Sequence, residues 1–183
     1  MRKILITLLL LAANHVCFSQ SFAFHLSSPL GMVGKIGAKA ELRFGDESIL
    51  LCGTYYYPTF FVFNFSGPQI AIEYRMYGFG STGEYGQNYL YGKALGGSQG
   101  AIPASDGFFG HEAIKETSYY GLGGGVGRHL NYGAFFIDIN AGLKFAYCPD
   151  PPIGFYVLGS GAIVDLHLNL GLQSFTGQTH RFY

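Results

Sequence analysis

The chain has 183 residues, with 11 Lys and Arg against 11 Asp and Glu, 28 Gly, 14 Tyr, 17 Phe and no Trp. This near-neutral balance gives no electrostatic reason to expect nucleic acid as a partner, and a chain this short makes one domain. The abundance of Gly and aromatic residues favours strands and tight turns over long helices.

In chain order, the first element is a secretory signal. Arg2 and Lys3 form a positive n-region, and Ile4 to Ala13 an apolar run too short to span a bilayer by itself. Cleavage between Ser19 and Gln20 puts Cys17 and Ser19 at the small-residue positions; His15 and Val16 make a poor lipobox, so Cys17 is not read as a lipidation site. The expected organisation is a signal peptide over 1–19 and one domain over 20–183, whose 9 Lys and Arg face 11 Asp and Glu once Arg2 and Lys3 are removed. Cys52 and Cys148 then reach an oxidising compartment, where a disulfide is chemically allowed. The preferred reading is two unpaired small apolar residues, because spacing alone does not bring their Cα atoms within bonding range.

Strands follow, recognised by alternation, since successive strand residues point to opposite faces. Phe22, Phe24 and Leu26 mark a short first strand. Ile36 to Phe44 alternates without a break, with Ala38, Ala40 and Leu42 on one side and Lys39, Glu41 and Arg43 on the other. A turn over 45–48 leads to Ile49, Leu51, Gly53, Tyr55 and Tyr57. Over 69–79, Ile70, Ile72, Tyr74 and Met76 oppose Glu73 and Arg75. Stretches 84–95 and 116–128 are expected strands whose alternation Gly and Tyr blur. Over 134–147, Ile137, Ile139 and Leu143 oppose Asp138 and Lys144. Over 162–175, Leu166, Leu168 and Leu170 oppose Asp165, His167 and Asn169.

The expected fold class is therefore all-β: an eight-stranded antiparallel up-and-down transmembrane β-barrel. The Gly-rich run 121–127 lacks a following amphipathic helix, so it reads as a strand with small lumen residues and not as a nucleotide loop. Three features favour apolar-outside over the lipocalin-like reverse: long uncharged apolar faces, polar faces of mixed charge and small residues, and alternating connection lengths. Connections two, four and six are expected to be short, at 45–47, 80–83 and 129–133. Connections three, five and seven are expected to be long, at 58–68, 96–115 and 148–155. Lys39, Glu41, Arg43, Glu73, Arg75, Asp138, Lys144, Asp165 and His167 become a lumen charge network, and Tyr55–Tyr57 and Tyr147 fall at one rim.

The segments 26–31, 36–43, 72–77, 120–127 and 137–144 together resemble the small outer-membrane β-barrel proteins of Bacteroidota, including a family known as a domain of unknown function. The Glu73-Tyr-Arg-Met-Tyr77 element carries most of this resemblance. It implies a monomeric barrel in the cell outer membrane, partnered by outer-membrane lipid and by the barrel-insertion machinery, with no catalytic residues to transfer. The aromatic end Phe182-Tyr183 is similar to the terminal signal that machinery reads. Phe175 is the better strand-terminal aromatic, which leaves 176–183 as a periplasmic extension.

Catalysis has a thin basis. His25 and Ser27 share a strand face, as a lipid hydrolase or acyltransferase would need for base and nucleophile, but no acid partner is indicated. His167 beside Asp165 and Asn169 reads as a satisfied polar network. His111-Glu112 has no second His at metal-ligand spacing, so neither metal nor cofactor is expected. Loop 96–115 is the expected contact for an extracellular partner, although Phe108 and Phe109 in it are equally suited to packing on the rim. The expected function is a non-enzymatic outer-membrane barrel with a structural or surface-interaction role. The alternatives are a lipid-modifying barrel enzyme and a secreted lipocalin-like barrel binding an apolar ligand.

Overall fold

A computed structural model describes residues 19–27, 33–44, 46–58, 66–78, 86–101, 115–152, 154–156, 161 and 163–173. Residues 1–18 of the signal expected over 1–19, loop positions Phe108, Phe109, His111 and Glu112, and the tail 176–183 lie outside the described residues, as do the side chains of β1, including His25 and Ser27. The elements are β1 (Ser19–Ser27), β2 (Val33–Phe44), β3 (Glu47–Pro58), β4 (Gly67–Tyr77), β5 (Gly86–Ala101), β6 (Lys115–Tyr132), β7 (Phe135–Tyr147) and β8 (Val164–Gln173). No described segment is a helix.

Every strand pairs antiparallel with its chain neighbour. The result is an all-β, barrel-like sheet curled around a polar interior. At its margins, Ser21 pairs with Gln173 and Phe22 with Leu172, which brings β8 alongside β1. Register carries the alternation around the sheet: Lys39 sits beside Cys52, Cys52 beside Ala71, Ala71 beside Leu95, and Leu95 beside Gly121. A slip of one residue in any strand would turn its whole polar set outward, so the pairing is tightly specified.

The strand ends differ from the sequence expectation at four places. The β2–β3 turn is only 45–46, with Glu47 and Ser48 already paired to Phe44 and Arg43. β5 and β6 run on to Ala101 and back to Lys115, so 96–101 is ladder and the connection shrinks to 102–114. β6 also continues through His129 to Tyr132, and the turn is Gly133-Ala134, with Gly133 at φ +79° donating its N–H to Asn131 Oδ1. Connection four is longer than expected and spans 78–85, because Gly78 at φ +96° leaves the strand geometry. The expected alternation of loop lengths is correspondingly weaker: connection four equals connection three, over 59–66, in span.

The interior is narrow, and glycine makes room for tyrosine in it. A Cβ on Gly127 would lie 2.2 Å from the Tyr89 ring, and one on Gly142 would lie 2.5 Å from the Tyr91 hydroxyl. Tyr89 is 1 % exposed, so the ring has nowhere to retreat. Gly53 faces outward with nothing near its missing side chain. Gly127→Val is therefore expected to lower stability by about 1–3 kcal/mol, the usual cost of overpacking a filled interior. Gly53→Ala is expected to be nearly neutral, and denaturant midpoints of the folded proteins compare the two.

Candidate functional site: a buried ionic lumen

The burial pattern of β4 alternates over its whole length, with odd-numbered residues buried and even-numbered ones exposed. The buried set contains Gln69, Glu73, Arg75 and Tyr77; the exposed set contains Ile70, Ile72, Tyr74 and Met76. The same inversion holds around the sheet. Leu51, Leu122, Val126, Ile139, Leu143, Phe145, Val164 and Leu168 are exposed, whereas Lys39, Lys93, Asp138, Lys144, Asp165 and Asn169 are buried. Strand pleating projects each side chain to one face or the other, so an apolar outer wall forces the polar residues together inside.

Arg75 lies at the centre of that interior. Its Nε donates to Glu73 Oε1 at 2.5 Å and its Nη1 to Asp138 Oδ2 at 2.6 Å, while the guanidinium lies 4.3 Å over the Tyr89 ring. Asp138 is the most heavily shared acceptor. Its Oδ1 takes the Tyr89 hydroxyl at 2.7 Å and Asn169 Nδ2 at 3.0 Å, and His129 Nδ1 lies 3.6 Å from its Oδ2. Lys39 Nζ approaches Glu73 at 4.0 Å from β2. One guanidinium therefore ties β4 to β7, through geometry that satisfies charge and hydrogen bonding together.

A second cluster lies nearer the long-connection end. Lys93 is ion-paired with Asp165, and His167 Nε2 lies 2.7 Å from Asp165 Oδ1 and 3.3 Å from Lys93 Nζ. The Tyr91 hydroxyl donates to Asp165 Oδ2 at 3.0 Å. Lys144 is buried in the same region, one strand from Lys93 across Gly123, yet among the described residues no carboxylate lies within 4.0 Å of its ammonium. A third group closes the short-turn end: Arg43 donates to Gln87 Oε1 at 2.6 Å and stacks 4.2 Å over Tyr77, whose hydroxyl donates to Glu41 at 2.8 Å.

The structure thus places Lys39, Glu73, Arg75, Asp138, Lys144 and Asp165 in the buried interior, with Glu41, Arg43 and His167 partly buried beside them. Sequence reading placed Tyr77 and Asn140 on the polar faces of their strands without counting them in the network; of the members it missed Lys93, His129, Tyr89 and Tyr91. Position parity along β5, where Tyr89, Tyr91 and Lys93 alternate with Leu90, Gly92 and Ala94, is the signal that would have found three of them.

Apolar and aromatic residues fill the interior toward the long connections. Leu50, Cys52, Ala71, Leu95, Tyr119, Cys148 and Phe155 form one buried cluster. Phe155 comes from connection seven, which turns inward at Gly154 (φ +79°) and sets the Phe155 ring 5.5 Å from Tyr119. That part of the connection plugs the interior instead of displaying itself outward. Cys52 and Cys148 share the cluster with no disulfide between them, and Cys148 Sγ lies 3.6 Å from Thr117 Oγ1. Among the described residues no three His, Cys, Asp or Glu side chains are arranged to hold a metal ion.

The fold and interior define a class, an antiparallel barrel-like protein with an inside-out distribution of polarity. Comparison with known proteins does not narrow that class: no family model, no curated protein and no solved structure matches the chain.

The two kinds of interior cation respond differently to removal. Arg75→Met leaves Glu73 and Asp138 buried without their main partner and is expected to cost about 3–5 kcal/mol. Lys144→Met removes a buried ammonium with no close carboxylate, so it is expected to leave stability unchanged or to raise it. Urea or guanidinium titration of the two variants checks the contrast.

Proposed function

We propose that the mature chain is an eight-stranded up-and-down β-barrel spanning a bacterial outer membrane, with a non-enzymatic structural or surface-interaction role. The observation that carries this reading is the exposed, nearly uncharged apolar wall wrapped around a buried ionic interior. A soluble barrel rarely exposes a contiguous apolar patch larger than a few hundred Å². It would also gain nothing from placing Arg75, Asp138 and Asp165 inside while Leu122 and Phe145 face water. In lipid the same distribution is the favourable one.

The aromatic residues support this setting. Tyr55, Tyr120 and Tyr147 are exposed toward the long-connection end, with the Tyr120 and Tyr147 rings 5.5 Å apart. Tyr74, Tyr132 and Phe135 are exposed toward the other. β7 runs from Phe135 to Tyr147 in 13 residues. At about 3.3 Å per residue and a tilt of about 40°, that distance is about 30 Å along the barrel axis, the thickness of a hydrocarbon core.

Pairing of β1 with β8 supports closure of the eighth strand, which leaves no lipid-exposed sheet edge. The apparent signal peptide supports export, and the resemblance to small Bacteroidota barrels fits the same address. A filled interior supports a scaffold over a pore or a ligand chamber. Partners on this reading are membrane lipid, the insertion machinery and an extracellular molecule met by the connection 102–114.

Charge placed on the wall tests the reading. Ile139→Arg and Leu168→Arg put a guanidinium on the outer face near mid-height, and each is expected to cost about 2–4 kcal/mol when the protein is folded into vesicles. A barrel whose outer wall faces water would tolerate both changes and would leave the envelope fraction without detergent.

A further inference from the structure

The Arg75 network contains two hydrogen-bonding groups without a protein partner, on two residues that line one small cavity. Arg75 has used Nε on Glu73 and Nη1 on Asp138, but its Nη2 is buried without a partner. Asn169 has used Nδ2 on Asp138, and its Oδ1 is likewise buried without one. Both residues line a cavity completed by Lys39, Glu41 and Asp138, with Leu50 and Phe136 as its apolar walls. The space is about that of a single water molecule.

We propose that this cavity is a binding site for one internal water molecule bridging Arg75 Nη2 and Asn169 Oδ1. The chemistry of the lining selects a neutral ligand. Glu41 and Asp138 repel an anion there, while Lys39 and Arg75 repel a cation. The ligand must accept one hydrogen bond and donate another, because one orphan is a guanidinium N–H and the other an amide oxygen. Water meets both requirements at this size and has a second hydrogen for the neighbouring Glu41 carboxylate. A site with at least two polar partners is where a buried water persists. The bound water completes the polar layer around Arg75, and it depends on the interior alone, whatever solvent covers the outer wall.

The test uses the full mature protein folded in detergent micelles, with native folding checked by gel mobility before and after heating. Oxygen-17 and deuterium relaxation dispersion counts long-lived internal waters. Wild type is expected to hold one more such water than Asn169→Leu, which replaces the acceptor, and with it the Nδ2 donor to Asp138, by a bulkier apolar side chain, and one more than Leu50→Phe, which fills the space from its apolar side. A cross-peak between water and the Leu50 methyl protons is expected in wild type and absent in Asn169→Leu. Equal water counts in wild type and either folded variant, or no water contact at Leu50 in wild type, would overturn the proposal. If Asn169→Leu does not fold, Leu50→Phe alone decides it.

Discussion

The interior of this protein turns on the contact between Arg75 and Asp138, a guanidinium from β4 bonded at 2.6 Å to a carboxylate from β7. Other buried groups are arranged with respect to it. Glu73 balances the second side of the guanidinium, and Tyr89, Asn169 and Asn140 supply donors to Asp138 or to its neighbour. Such an arrangement is needed because a buried ion without a partner is costly, and an ion removed from both water and bulk solvent has only side chains to replace them. The apolar outer wall creates this demand: once alternate residues of each strand are apolar and face out, the charges between them are turned inward, and among the described strand residues only Glu47, Glu116 and Arg128, toward the strand ends, are exposed charges.

Glycine is the counterpart of that charge. A lumen that must hold Arg75, three lysine and five tyrosine stems and several carboxylates has no spare width, so bulky residues on one strand face bare backbone on another. Tyr89 lies against Gly127 and Tyr91 against Gly142, while Lys93 and Lys144 flank Gly123. The Gly-rich run of β6 is thereby explained as part of the wall on which the interior side chains of β5 rest, which Gly142 of β7 completes beneath Tyr91. Aromatic rings over strand glycines also restore the packing that a side-chain-free position loses.

The sequence was most legible where alternation was strict. β2, β4, β7 and β8 could each be read from Lys39-Ala-Glu, Glu73-Tyr-Arg, Asp138-Ile-Asn and Asp165-Leu-His, because charge and apolar residues exchange at every step. β5 and β6 were harder. Their inward faces carry Tyr, Leu and Gly, and their outward faces carry Gly, Ala and Tyr, so hydropathy does not separate the sides. Lys93 went unassigned for that reason, although it is the closest cation to Asp165. On β3, Ile49, Leu51 and Tyr55 could be assigned to the outer face, but Leu50 and Cys52 between them are apolar too and gave no sign of a polar interior; register with Glu73 and Lys39 shows them inside. Phe155 had no signal at all, since a loop residue that folds back into a barrel leaves no periodic mark.

The proposed location follows from one inequality, that the outer wall is worth more in hydrocarbon than in water while the interior is indifferent to either. The chain's lack of tryptophan makes this directly measurable. A single indole placed by Leu168→Trp reports the surroundings of the outer wall alone, without background. In vesicles of lipids brominated near the chain ends, its fluorescence is expected to be strongly quenched and shielded from aqueous acrylamide. Free quenching by acrylamide with no effect of the bromolipid would contradict the account.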